Sequence, residues 1–163
     1  MLTLFLIILG LIVLIGFAIA GPLGAPWVPA FKRDLDHILD DSGLEAGQLY
    51  IELGAGDGRL VAAAAKRGAR AIGYEINPVM CLVAAVRNLR YYPKAKIRLA
   101  NFWQVDLSEA DVVLVFLMPK FMPRLEQKLT KELKPGSVLV SYIFVLPSRR
   151  PVIKRHHWSV YHF

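Results

Sequence analysis

Apolar positions fall into distinct regimes along this chain. Residues 1–20, MLTLFLIILGLIVLIGFAIA, form an unbroken apolar run, and the first charged side chain is Lys32. Further on, short apolar runs alternate with stretches whose apolar residues recur every three or four positions, the spacings of strands and helices. Leu35, Ile38 and Leu39 share one face of a helix predicted over 32–42, which Ser42-Gly43 ends. Leu49–Leu53 reads as a strand, Arg59–Arg67 as an alanine-rich helix closed by Gly68, and Ala71–Glu75 as a second strand. Asn77-Pro78 supplies an N-cap and a first-turn proline. The helix it opens runs to about Arg90, with Val79, Leu82, Val83, Val86 and Leu89 at helical spacing. Lys96–Ala100 and Asp111–Leu117 are strands, the latter apolar enough to be buried on both faces. A helix over Pro119–Leu133 stops at Lys134-Pro135-Gly136, and Ser137–Leu146 and Trp158–Phe163 complete the strands. Such alternation implies parallel pairing with right-handed crossovers, an α/β doubly wound, mostly parallel sheet. Its ligand site is expected beyond the carboxyl ends of the strands.

The chain therefore divides into an apolar segment (1–20), a Pro/Gly connector (21–31) and one α/β domain (32–163). About 20 apolar residues suffice for a helix to cross a bilayer. A secretory signal competes, because Ala18-Ile19-Ala20 resembles a cleavage site. However, no basic residue precedes the run, and it is longer than a signal's apolar core. A single-pass transmembrane anchor is the better reading. With Lys32 and Arg33 just after it, the domain is expected to face the cytoplasm. One cysteine, Cys81, permits no internal disulfide and fits a reducing compartment.

The net charge is +7. Beyond Leu133 the bases Lys134, Arg149, Arg150, Lys154 and Arg155 appear with no acid among them. Charge alone leaves anionic lipid, nucleic acid and acidic protein open as partners. For a tethered domain, the bilayer is the least demanding of them.

The chemistry concentrates in YIELGAGDGRL (50–60). A phosphate-binding loop would need Gly-Lys-Ser/Thr, and a dinucleotide fingerprint would need glycine at position 59, where Arg59 stands. Glu52 and Asp57 would also repel a pyrophosphate. Both acids suit a cationic ligand such as S-adenosylmethionine, which carries an ammonium and a sulfonium. On this reading Glu52 holds the ammonium through water or a backbone relay. Gly54, Gly56 and Gly58 let the backbone approach the methionine portion. Glu75, 23 residues after Glu52, accepts the ribose hydroxyls. Asn101 and Phe102, after the third strand, serve the adenine by an amide bond and by ring stacking.

ELGAGDG followed by GYEINP resembles the first two motifs of the class I S-adenosylmethionine-dependent methyltransferases. WVPA (27–30), NFW (101–103) and FLMPKFMPRLEQKLTKEL (116–133) narrow the likeness to a membrane-anchored protein-lysine methyltransferase family. Its mitochondrial members modify the c ring protein of ATP synthase and the adenine nucleotide translocase, and it has small archaeal relatives. The resemblance implies a Rossmann-like methyltransferase domain and a protein-lysine substrate, with membrane proteins among the candidates and no nucleic acid. The chain departs from the family at Phe31, where a threonine is expected, and at Asn101, where an aspartate is common. Its C-terminal strand region is also short.

Transfer from a sulfonium needs alignment and a dry site rather than a metal or a covalent nucleophile. A lysine must first lose its proton, which desolvation favours. Trp103, Phe121 and Tyr142, with Phe144, are the candidates for an aromatic lysine channel. Two alternatives stand beside this one: a methyltransferase of a lipid headgroup or other small molecule, and a non-catalytic membrane adaptor.

Overall fold

A computed structural model of the 163-residue chain describes residues 28–163 and, before them, only positions 1, 3, 4, 7 and 10. Most of the proposed anchor and of the connector therefore lies outside the described residues. Among the described residues no helix is long and apolar enough to cross a membrane.

Seven strands form one sheet: β1 (Leu49–Leu53), β2 (Arg70–Glu75), β3 (Ala95–Leu99), β4 (Val112–Val115), β5 (Val138–Tyr142), β6 (Ile153–Lys154) and β7 (Trp158–His162). Their order is β3-β2-β1-β4-β5-β7-β6. The first five pair in parallel, and β7 runs antiparallel to both β5 and β6. The order reverses between β1 and β4, which opens a crevice at their carboxyl ends.

Within residues 28–163 the α-helices are α1 (Leu35–Asp41), α2 (Arg59–Lys66), α3 (Pro78–Asn88) and α4 (Met122–Glu132). Period-two alternation divides the buried side chains between two layers. Val112, Leu114 and Val140 pack with α1 and α2 residues such as Ile38, Leu39, Leu60 and Ala64. Val113, Val115 and Leu139 pack on the other face with Leu125 and Leu129 of α4.

The predicted β1 has the observed bounds, and Asn77 caps α3 by accepting from the Val79 and Met80 N–H groups. Several readings change, among them the bounds of β4, now Val112–Val115, and the start of α4, now preceded by a 3-10 turn over Pro119–Phe121. The helix at 32–42 opens as a 3-10 turn over Lys32–Asp34. The strand expected over Ser137–Leu146 is only Val138–Tyr142, because Ile143 takes a left-handed φ of 72° and turns the chain. Ile153–Lys154 adds a short edge strand that the pattern did not show. Helix α3 also turns inward Met80, Ala84 and Asn88, leaving the apolar stripe of Leu82, Val86 and Leu89 exposed.

One glycine locks loop to helix. Gly58 has φ 71°, and a Cβ there would stand 2.6 Å from Asn88 Nδ2 and 2.9 Å from Ala84 Cβ. Asn88 Nδ2 donates to the Gly58 carbonyl at 3.0 Å. Gly58→Ala combines left-handed strain with a clash against α3, each costing about 1–3 kcal/mol. Thermal unfolding of the full chain is expected to show a Tm lower by at least roughly 4 °C.

Candidate functional site

The turn from β1 to α2 folds back on β2. The N–H groups of Gly54 and Ala55 both donate to the Tyr74 carbonyl at 2.9 Å. Glu75, at the tip of β2, accepts from Gly56 N–H at 2.8 Å through one oxygen. Its other oxygen accepts from Ile76 N–H at 2.9 Å and Asn77 N–H at 2.8 Å. Gly54 has φ 84°, and the space its side chain would fill is open. These contacts bring the glycine turn and both strand tips together. Ala100 N–H donates to the Glu75 carbonyl at 2.9 Å, placing Asn101 next to them.

A small cleft opens beside the turn. Glu52, Gly54, Gly56 and Asp57 line it, facing Leu114, Phe116 and Tyr142, and Val28–Ala30 forms a further wall. Ala30 is tied there by its carbonyl, which accepts from Arg59 Nη1 at 2.8 Å.

The two acids of the turn have opposite fates. Asp57 is already ion-paired, to Arg59 at 2.7 Å and Arg87 at 3.0 Å. Burial opposes its charge, but hydrogen bonds from Arg59 and the charges of both guanidinium groups hold its carboxyl below the usual range. Its cation comes from within the chain rather than from a ligand. Glu52 is buried, and its Oε2 has no hydrogen-bond partner among the described residues. Burial first, then the neighbouring Asp57 charge, pushes the Glu52 carboxyl well above the ordinary range, against a backbone hydrogen bond from Val61 that lowers it. An unmet acceptor on an apolar-walled cleft is a seat for a donor, and most favourably for a cationic one.

Glu75 carries three backbone donors out of roughly four lone-pair directions. The ribose role therefore asks it to hand over one of them. Asn101 Oδ1 accepts from Trp103 N–H at 3.1 Å, capping a 3-10 turn over Phe102–Gln104. Phe102 and Trp103 lie ring to ring at 4.8 Å, and Trp103 and Phe121 at 6.1 Å.

The proposed lysine channel is divided by the sheet. Trp103 and Phe121 pack on the α4 side, whereas Tyr142 belongs to the α1–α2 side and lines the cleft. Tyr142 is joined there by Phe116, at 5.4 Å, which sequence reasoning did not single out. Phe144 packs on the α4-side layer and stands 6.4 Å from Phe116. The Tyr142 hydroxyl donates to Asp34 at 2.7 Å, and Asp34 is also 2.9 Å from His157 Nδ1. Burial and the Asp34 bond push the Tyr142 pKa up to about 12, so Tyr142 acts as a neutral wall and not as a base. Asp34, His157 and Arg87 carried no local motif. Only their convergence in space marks them.

A family model described as the ANTKMT methyltransferase domain matches residues 52–153. The lysine N-methyltransferase of the ATP synthase C-subunit from Rattus norvegicus is 35% identical over 128 residues, 77% of this chain and 59% of that protein. The chain spans 51% and 54% of the mouse and human proteins of that name. A protein-lysine N-methyltransferase of Saccharolobus islandicus (strain REY15A) is 34% identical over 143 residues, 84% of this chain and 89% of that protein. Among solved structures, an RNA methyltransferase from Salinibacter ruber in complex with S-adenosyl-L-homocysteine superposes with a TM-score of 0.76 at 29% identity. The match covers 82% of this chain and 91% of that one.

Because the Glu52 carboxyl takes up its proton in the fold, the stability linked to that proton is full below the ordinary carboxylate pKa. It is lost as pH rises towards and through the elevated value. Glu52→Gln should flatten this decline. Melting curves of the full chain from acid to mildly alkaline pH are expected to converge at low pH. At the alkaline end the variant should be higher by about 2–4 °C for each ~1 kcal/mol of relief. Parallel curves would mean that the Glu52 carboxyl has the same pKa folded and unfolded.

Proposed function

The chain belongs to the family of the ANTKMT methyltransferase domain, and from that premise we propose that it is an S-adenosylmethionine-dependent protein-lysine N-methyltransferase acting at a membrane. The observation that carries the cofactor assignment is the buried, unpartnered Glu52 Oε2 on the cleft. Its unmet acceptor suits the methionine ammonium, whose positive charge would favour the ionised carboxylate. The open space above Gly54 would take the methionine portion, and Glu75 at the tip of β2 would take the ribose. Asn101 and Phe102, next to that tip, would serve the adenine.

The bound cofactor supplies an electrophilic methyl group on a sulfonium. The residues of this chain supply position and dryness. Leu114, Phe116 and Tyr142 wall the cleft with apolar surface, which favours the neutral amine of an entering lysine over its ammonium. With the cofactor held by Glu52 and Glu75, its sulfonium would supply a methyl group to the neutral amine, while Leu114, Phe116 and Tyr142 would keep water from the site. Tyr142, protonated well past neutrality, takes no proton.

A lysine as acceptor is supported by the names of relatives on both sides of the family, the rat and the Saccharolobus proteins. A membrane location is supported by the uncharged apolar segment 1–20 with Lys32 and Arg33 following it, which would leave the domain on the cytoplasmic side.

Glu75→Ala is expected to weaken S-adenosylmethionine binding by roughly 1–3 kcal/mol, the cost of lost hydrogen bonds to a charged group. Calorimetric titration of the full chain in detergent measures it. Methyl-group mass spectrometry of membranes with and without the active chain tests the substrate. New methyl-lysine is the expected result, and methylated lipid amines without it would transfer the assignment to headgroups.

A further inference from the structure

Helix α3 presents the opposite of ordinary amphipathicity. Met80, Ala84 and Asn88 face inward. Diametrically across the helix stand Leu82, Val86 and Leu89, at spacings of four and three residues and exposed to 66%, 60% and 69%. A surface helix normally turns charged residues to that side. Val83 flanks the stripe. Beyond the helix Tyr92, and Leu99 at the end of β3, are also exposed, and α3 packs directly on β3. The fold gains little from this apolar surface, because it is not buried.

The surrounding charge has one sign. From Ile76 to Ala100 there is no Asp or Glu, while Arg87, Arg90, Lys94, Lys96 and Arg98 all fall within the stretch and are exposed. Arg87 reaches Asp57 of the glycine turn, and Arg90 lies over the Tyr91 ring. An aliphatic stripe bordered by bases matches the boundary between anionic headgroups and acyl chains. We propose that the outer face of α3, with edge strand β3, is a docking surface that lays the domain on an anionic bilayer. A second copy of the chain would set these five bases against the same five. Nucleic acid would meet aliphatic side chains where stacking rings are wanted. The inference deepens the membrane part of the proposed function and is independent of methyl transfer.

The test uses the full chain with Cys81→Ser and Val86→Cys, the new thiol carrying an environment-sensitive fluorophore, in phosphatidylcholine nanodiscs with and without phosphatidylglycerol. The expected result is blue-shifted emission that brominated lipids quench, stronger with phosphatidylglycerol and weakened by salt. A label at Lys131→Cys, exposed on α4 across the sheet, is expected not to respond. Adding Leu82→Ser and Leu89→Ser should abolish the response at 86 with Tm unchanged. Equal emission from positions 86 and 131 would overturn the proposal. So would a blue shift that grows with protein concentration in lipid-free detergent, which would assign the face to a second copy. Titrating S-adenosylmethionine into the same labelled protein separates the two ideas. Cofactor binding without a lipid response sinks only the docking surface, and a lipid response without cofactor binding sinks only the enzymatic reading.

Discussion

Three backbone N–H groups, from Gly56, Ile76 and Asn77, converge on the Glu75 carboxylate, and through them the tip of β2 holds both the glycine turn and the entrance to α3. A carboxylate is suited to this because it accepts in several directions and bonds more strongly than a neutral oxygen. The same turn is fixed from below by Asn88 on the Gly58 carbonyl and from the side by Arg59 and Arg87 on Asp57. The turn is thus a rigid seat before any ligand arrives, and ligand binding need not spend free energy ordering it.

Charge is distributed unevenly within that seat. Asp57 is neutralised internally and contributes rigidity, while Glu52 is left without a partner and contributes appetite. Two acids five residues apart, alike in one-dimensional pattern, are separated by what lies opposite each of them. Arg59 can reach Asp57 because α2 starts at that residue, whereas Glu52 points from β1 into the layer roofed by Phe116 and Tyr142.

Much of the frame was legible in the residues themselves. Period-two and helical spacing found the elements, and Asn77-Pro78 and Gly68 marked their ends, because caps and terminators act locally. The glycine turn, Glu52 and Glu75 were legible because each sits at a strand end. Other parts depended on partners distant in sequence. Nothing near Asp57 announces Arg87, nothing near Tyr142 announces Asp34 and His157, and the apolar spacing of α3 cannot say which way the stripe faces. That Trp103 and Phe121 fall in a different layer from Tyr142 was hidden for the same reason: strand ends were read, but not the side of the sheet to which each ring turns.

The two margins of the sheet differ from its middle. On one side it ends in β6, only Ile153–Lys154, and on the other in β3, whose Lys96 and Arg98 are exposed and which follows closely on Pro93. Brief strands, cationic residues and a nearby proline all discourage a foreign strand from adding to the ladder. Main-chain pairing is therefore spent inside the domain, and whatever this protein gathers around itself must be recognised by side chains and broad surfaces.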